Sequence, residues 1–165
     1  MTGRLAAALF ILSLAGSASA QDGWRDAVAS DVRNSTDYTD FRVHDPALFL
    51  SARGDFDGDG RVDVVRLRVN ESARKFAVVV ADARGQHVVL EGPLSDLPRY
   101  GVSLVRKGRI QSACFGEDAC PQQYLDLSTD AFDVAVFESV DTVYYACPAW
   151  PATAPTGYCP FGMTD

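Results

Sequence analysis

The chain has 165 residues, with 22 acidic against 15 basic side chains and a formal charge of −7. That length suits one domain with its own buried core. The acidic balance argues against nucleic acid and against anionic membrane surfaces as partners.

Residues 1–20 read as an export signal. Arg4 gives a positive start, Leu5 to Leu14 an apolar centre, and Ala18-Ser19-Ala20 a small-residue cleavage site before Gln21. The apolar run is too short to cross a bilayer, no other stretch is long and apolar enough, and no cysteine stands by the cleavage site to take a lipid. The mature chain is then residues 21–165, a single exported β-rich domain, periplasmic or secreted. Losing Arg4 leaves 14 basic against 22 acidic residues, a net charge of −8.

Residues 22–33 predict one short helix, because Trp24, Ala27, Val28 and Val32 recur at helical spacing and Asp22 can cap. Asn34 to Asp40 is polar and turn-like. Asp45-Pro46 suits the cap and first turn of a second helical turn through Leu50.

Next comes Asp55-Phe56-Asp57-Gly58-Asp59-Gly60-Arg61-Val62-Asp63. Hard cations such as Ca²⁺ take several oxygen ligands, which carboxylates and a backbone carbonyl supply. The first, third, fifth and ninth residues of this loop, Asp55, Asp57, Asp59 and Asp63, offer carboxylates. Arg61, the seventh, offers its carbonyl, so its side-chain charge is immaterial to that role. Gly60 makes the bend. Four aspartates within nine residues repel one another unless a cation lies between them. Against this stands the plain reading of an acidic turn, since Asp and Gly are turn residues anyway. An EF-hand would place Glu at position twelve, where Arg66 stands, and would continue into a helix. Here Val64-Val65-Arg66-Leu67-Arg68-Val69 alternates and is β-branched, which predicts a strand. Arg53-Gly54-Asp55 is also an RGD triplet, read as coincidental because the loop uses Asp55.

From here the chain reads as β. Strands are predicted over 62–69, 75–83, 87–91, 101–106, 109–113, 124–127, 131–138, 142–146 and 158–163, and their short separations favour antiparallel pairing. Gly92-Pro93 interrupts, and 94–99 is a loop or single helical turn. The Asp-rich motif occurs once, so a propeller of repeated blades is not predicted. The fold class is mainly β: one twisted antiparallel sheet or small sandwich with a short N-terminal helix.

Cys114, Cys120, Cys147 and Cys159 all fall in the mature region. An even count in an exported chain predicts two disulfides. Three pairings are possible; Cys114–Cys120 with Cys147–Cys159 is expected because each pair brackets a loop. The spacings match no common zinc pattern.

The run Ser51 to Arg61, then Leu97 to Val105, the Cys114–Cys120 loop, and Asp133 to Ser139 together resemble small exported bacterial proteins carrying one FG-GAP/VCBS-type calcium loop. The likeness covers roughly 50–145. The Pro-, Ala- and Thr-rich stretch from Pro148 to Gly157 departs from it, where such proteins tend to finish in a plain aromatic hairpin. The resemblance implies a fold and a metal, Ca²⁺, and no reaction.

Catalysis finds little support in the residues. His44 and His87 are isolated, and no Gly-x-Ser-x-Gly occurs. Tyr144, Tyr145, Trp150, Tyr158 and Phe161 cluster near the end and suit either core packing or an interface. Asn34-Ser35-Thr36 and Asn70-Glu71-Ser72 are formal glycosylation sequons, expected to go unused. The reading is an exported, calcium-stabilised binding or structural domain, monomeric and non-catalytic, with a protein or envelope component as partner. The alternatives are a periplasmic inhibitor of a lysozyme-type cell-wall hydrolase, whose basic surface an acidic protein would suit, and then a metal-dependent hydrolase.

Overall fold

Alternation of apolar and polar side chains along β-branched strands builds two antiparallel sheets that face each other. The structure is a computed structural model, which describes residues 23–32, 45, 47–111, 123–137, 139–147 and 156–164. The first sheet contains β1 (Trp24–Asp26), β2 (Ser51–Gly54), β3 (Asp63–Asn70), β4 (Lys75–Asp82) and β5 (Gly85–Pro93). Its order is β1-β3-β4-β5, and β2 shares the β1 edge of β3: Ser51–Gly54 pairs with residues 63–66, and Trp24–Asp26 with residues 68–70. The second sheet runs β11-β10-β9-β6, from β6 (Tyr100–Val105), β9 (Ala131–Val136), β10 (Val140–Ala146) and β11 (Tyr158–Thr164). A separate hairpin joins β7 (Gly108–Gln111) and β8 (Tyr124–Leu127).

The main core lies between the sheets. Val65, Leu67 and Val69 of β3 and Phe76, Val78 and Val80 of β4 are fully buried against Val102, Phe132 and Val134 of the second sheet. At roughly 1.5–3 kcal/mol for each such side chain taken out of water, these two faces supply the main drive for the fold. Phe132 anchors three aromatics: Phe56 and Tyr158 meet it edge-on, and Tyr144 stacks on it at 5.6 Å. A short 3₁₀ helix, Leu94–Arg99, places the fully buried Leu97 in the same core. A second, smaller core forms where Leu125 and Leu127 of the hairpin cover Ala131 and Val143 on the other face of the second sheet.

Several expectations change. The helix expected over 22–33 is reduced to Ala29–Val32, and Trp24–Asp26 is an edge strand. Helical spacing lost to tertiary pairing here: β3 presents open backbone groups, which β1 takes up, and Ala27 N–H continues the ladder to the Leu67 carbonyl at 2.9 Å. Arg25 then clamps the segment by reaching both Asp31 and Glu71. The second helical turn is a tight turn over Ala47–Phe49, whose Ala47 N–H is accepted by Asp45 Oδ1 at 3.1 Å. Ser51–Gly54, not expected as a strand, is β2. Of the two expected architectures, one twisted sheet or a small sandwich, the chain adopts the sandwich, because side chains of β3 and β4 would otherwise face water. The export signal, His44, Trp150 and the Cys114–Cys120 pair lie outside the described residues. Among the described residues no helix is long and apolar enough to cross a membrane.

Candidate metal centre

The Asp-rich loop joins β2 to β3. Phe56 is fully buried and packs edge-on to Phe132 at 5.2 Å. With Phe56 held inward, Asp55 and Asp57 on either side turn outward, toward Asp63 at the start of β3. Carboxylate oxygens of Asp55, Asp57 and Asp63 come within 4.8 Å of one another. Loop amides hold each acid in place. Asp55 accepts from Gly58 N at 2.9 Å and Gly60 N at 3.1 Å, and Asp63 from Phe56 N at 2.7 Å and Asp57 N at 3.2 Å. Gly58 and Gly60 both have φ of +82°, where side chains other than glycine are strained. At Gly58 a Cβ would also come within 2.7 Å of Thr129 Cγ2, so the β8–β9 turn packs directly on the loop. Asp130 of that turn accepts from Lys107 N and from Arg106, and burial, which alone would raise its acid, is outweighed by these and by the Asp55 amide.

Asp63 is 3% exposed. Burial pushes its acid up, against the two amides that stabilise the anion, and the negative charges of Asp57 and Asp82 push the same way. Among the described residues no cationic side chain pairs with Asp55, Asp57 or Asp63. Three hard oxygen donors, pre-positioned by backbone N–H groups and lacking a counter-charge, could hold a metal ion. Asp59, the fourth predicted carboxylate, is not brought into this group. Its Oδ1 accepts from Arg61 N at 2.8 Å and its Oδ2 lies 3.9 Å from Arg61 Nε. The Arg61 side chain is exposed, as a residue offering only its carbonyl allows.

No family model, curated protein or solved structure matches this chain.

Beside the triad stands a cluster that sequence reasoning missed. Asp82, at the end of β4 next to the start of β3, has a wholly inaccessible side chain. Its carboxylate accepts from Arg84 N at 2.8 Å, Arg84 Nε at 3.1 Å and Tyr158 Oη at 2.9 Å, and His87 Nε2 lies 3.1 Å away. Burial alone would raise the acid, but these donors bring it down to about 2. Tyr158 is pushed well above the usual phenol range by burial and by the carboxylate it donates to. The Arg84 guanidinium also lies over the Tyr158 ring, 5.3 Å from its centre. A Cβ at Gly157 would fall 2.6 Å from the Arg84 guanidinium, so glycine leaves room for that side chain beside Tyr158. The chain reads 82–85 as a simple turn, and no local signal marks Tyr158, 76 residues on, as its partner.

The remaining sequence candidates take structural roles. Cys147 and Cys159 are bonded, with Cα atoms 5.7 Å apart, at the end of the β10–β11 hairpin where the two strands connect. Such a bond belongs to chains that fold in oxidising compartments. Tyr144 and Tyr158 pack on the main core, and Tyr145 and Phe161 on the smaller one. Gly54 of the RGD triplet is buried in β2. Asn70 is buried and accepts from Ser72 Oγ and Ala73 N in the β3–β4 turn, which leaves that sequon poorly placed for modification.

Proposed function

We propose that the chain is an exported Ca²⁺-binding domain of FG-GAP/VCBS type, a non-catalytic binding or structural module of the cell envelope or medium. The observation that carries this is the convergence of Asp55, Asp57 and Asp63 within 4.8 Å, with Asp63 buried. Ca²⁺ is favoured over softer metals because every side-chain donor is a carboxylate. Asp59 and the Arg61 carbonyl stand next in the loop to enlarge the shell toward the six to eight oxygens typical of Ca²⁺. Bound there, a cation would neutralise the loop and brace β2 and β3 against the β8–β9 turn, which makes its role one of stabilisation. Lacking a Glu at position twelve, the site should bind weakly, at roughly 10⁻⁴–10⁻³ M as in extracellular modules.

The test is a melting curve of the mature protein in chelator and in millimolar calcium. At about 10 mM free calcium, roughly ten to a hundred times that dissociation constant, linkage adds about 1.4–2.7 kcal/mol. Asp63→Asn can still accept from the Phe56 and Asp57 amides through its side-chain carbonyl, so it should fold and lose the calcium response. Magnesium should do less, because it holds its own waters in a tighter octahedron. Equal melting of wild type in chelator and calcium would show the loop to be an acidic turn and this reading to be wrong.

A further inference from the structure

The second sheet carries a site that the metal loop does not use. Among the described residues, the β7–β8 hairpin covers only part of its face away from the main core. Where the hairpin stops, a cavity of about 390 Å³ opens between β6, β9 and the chain around Phe137. That volume lies within the range of small-molecule pockets. Phe49 and Phe137 border it, with ring centres 6.1 Å apart. They approach across Gly101, where a Cβ would lie 2.7 Å from Phe137 and 2.9 Å from Phe49. Phe49 holds a φ of +63°, rare for a bulky side chain, and its carbonyl accepts from Val102 N at 2.8 Å, which fixes it in that conformation.

Asp133 of β9 lines the same cavity, opposite Ser103 of β6 in the strand register. One of its carboxylate oxygens, Oδ1, is shut off from solvent and has no hydrogen-bond partner. A buried oxygen left without a donor loses its hydration for nothing in return, the more so when charged, so the fold retains this group at a loss. Asp141 of β10, an exposed residue, lines the cavity as well and is the other charged group among its described lining.

We propose that this cavity binds a small organic cation, its ammonium group received by Asp133 and Asp141 and its apolar body held against Phe49 and Phe137. An ammonium supplies the donors that Asp133 lacks, and the carboxyl group can turn to meet it about a soft terminal torsion. The aromatic faces add attraction for the cation and for a hydrocarbon body. A neutral or anionic ligand of the same shape would leave the Asp133 oxygen without a charged donor. The site lies on the second sheet and stands or falls apart from the calcium reading.

The acid of Asp133 is pushed up to about 7, by burial first and then by the Asp141 charge. A cation favours the ionised form, so its affinity must rise as pH rises from 5 to 8, while that of an uncharged analogue stays level.

The experiment titrates the isotope-labelled mature protein with 2-phenylethylammonium and, separately, 2-phenylethanol, following amide shifts by NMR. The expected result is shifts centred on Gly101, Ser103, Asp133 and Asp141, with the ammonium bound at least tenfold more tightly than the alcohol at pH 8. That preference should shrink at pH 5. Asp133→Asn should weaken ammonium binding at least tenfold, the loss of one charge-assisted hydrogen bond. Should that variant fail to fold, Asp141→Asn, at an exposed position, carries the same test with a smaller expected loss. Equal affinity for alcohol and ammonium, shifts that fall elsewhere, wild-type affinity in the carboxylate variants, or no shifts at millimolar ligand would each overturn the proposal.

Discussion

Asp82 and Asp133 are the same residue on neighbouring layers of one sandwich, both drawn into the protein, and they sit at opposite ends of the acid scale. Asp82 receives Arg84, Tyr158 and the Arg84 amide and is held near 2. Asp133 has an oxygen with no donor at all and is pushed to about 7. Burial opposes the charge at both sites; the supply of donors decides which way each acid moves. Asp82 therefore closes a structure, tying the end of β4 to the start of β11, whereas Asp133 leaves one unfinished. Asp63 falls between them: two amides receive it, burial still raises it, and a cation would complete it.

The largest effect is expected from breaking the saturated site. Asp82→Ala leaves the buried Tyr158 hydroxyl without its acceptor, at about 1–3 kcal/mol, and the half-exposed Arg84 guanidinium without its partner, at up to about 1 kcal/mol more. Urea unfolding should show this as a lower midpoint with unchanged slope. Tyr158→Phe removes only one hydrogen bond to the same carboxylate and should cost about 1–2 kcal/mol. If both variants unfold like wild type, the cluster is not the clamp described here.

The unfinished site should respond in the other direction. For Asp133 the folded acid is weaker than the unfolded one, so its contribution is most favourable below about pH 4 and is lost as pH rises through 7. For Asp82 the folded acid is stronger, so its contribution is present above about pH 4 and is lost as pH falls toward 2. Asp133→Asn should accordingly stabilise the protein at pH 8, by on the order of 2–3 kcal/mol: about three tenfold changes in proton affinity at about 1.4 kcal/mol each, reduced by solvent screening of a part-exposed carboxyl. At pH 4 it should do little. A stability profile of this variant as steep between pH 4 and 8 as that of wild type would remove Asp133 from the account.

Opening the Cys147–Cys159 bond should cost about 2–3 kcal/mol on chain-entropy grounds, and should act through the β10–β11 end that presents Tyr158 to Asp82. A double variant with Asp82→Ala tests that link, because independent sites add and coupled ones do not. The smallest effect is expected at Arg109 and Asp126, which pair at 2.8 Å on the exposed hairpin. Arg109→Ala should leave the midpoint unchanged, since exposed ion pairs are screened by water and salt.

Much of this protein could be read before its structure. The strands from β3 onward fall close to their expected places, because β-branched alternation and the Arg84-Gly85 and Lys107-Gly108 turns are local signals. The acidic loop was legible for the same reason: its acids lie within nine residues, and glycine stands where positive φ is needed. The N-terminal segment was misread because helical spacing in Trp24 to Val32 says nothing about the open edge of β3. Asp59 was grouped with its neighbours by spacing alone, whereas the loop turns its carboxylate to the Arg61 amide.

The sequence by itself thus determined a mainly β chain with an acid-rich, glycine-hinged loop, since hydrophobic period and turn chemistry act over a few residues. Only tertiary structure decided that there are two sheets, that β1 and β2 share one edge of β3, and that Asp82 meets Tyr158 while Asp133 meets no donor. Those outcomes depend on which distant strands become neighbours. The fate of a buried carboxylate follows from the groups that this packing brings to it and from little in its own sequence surroundings.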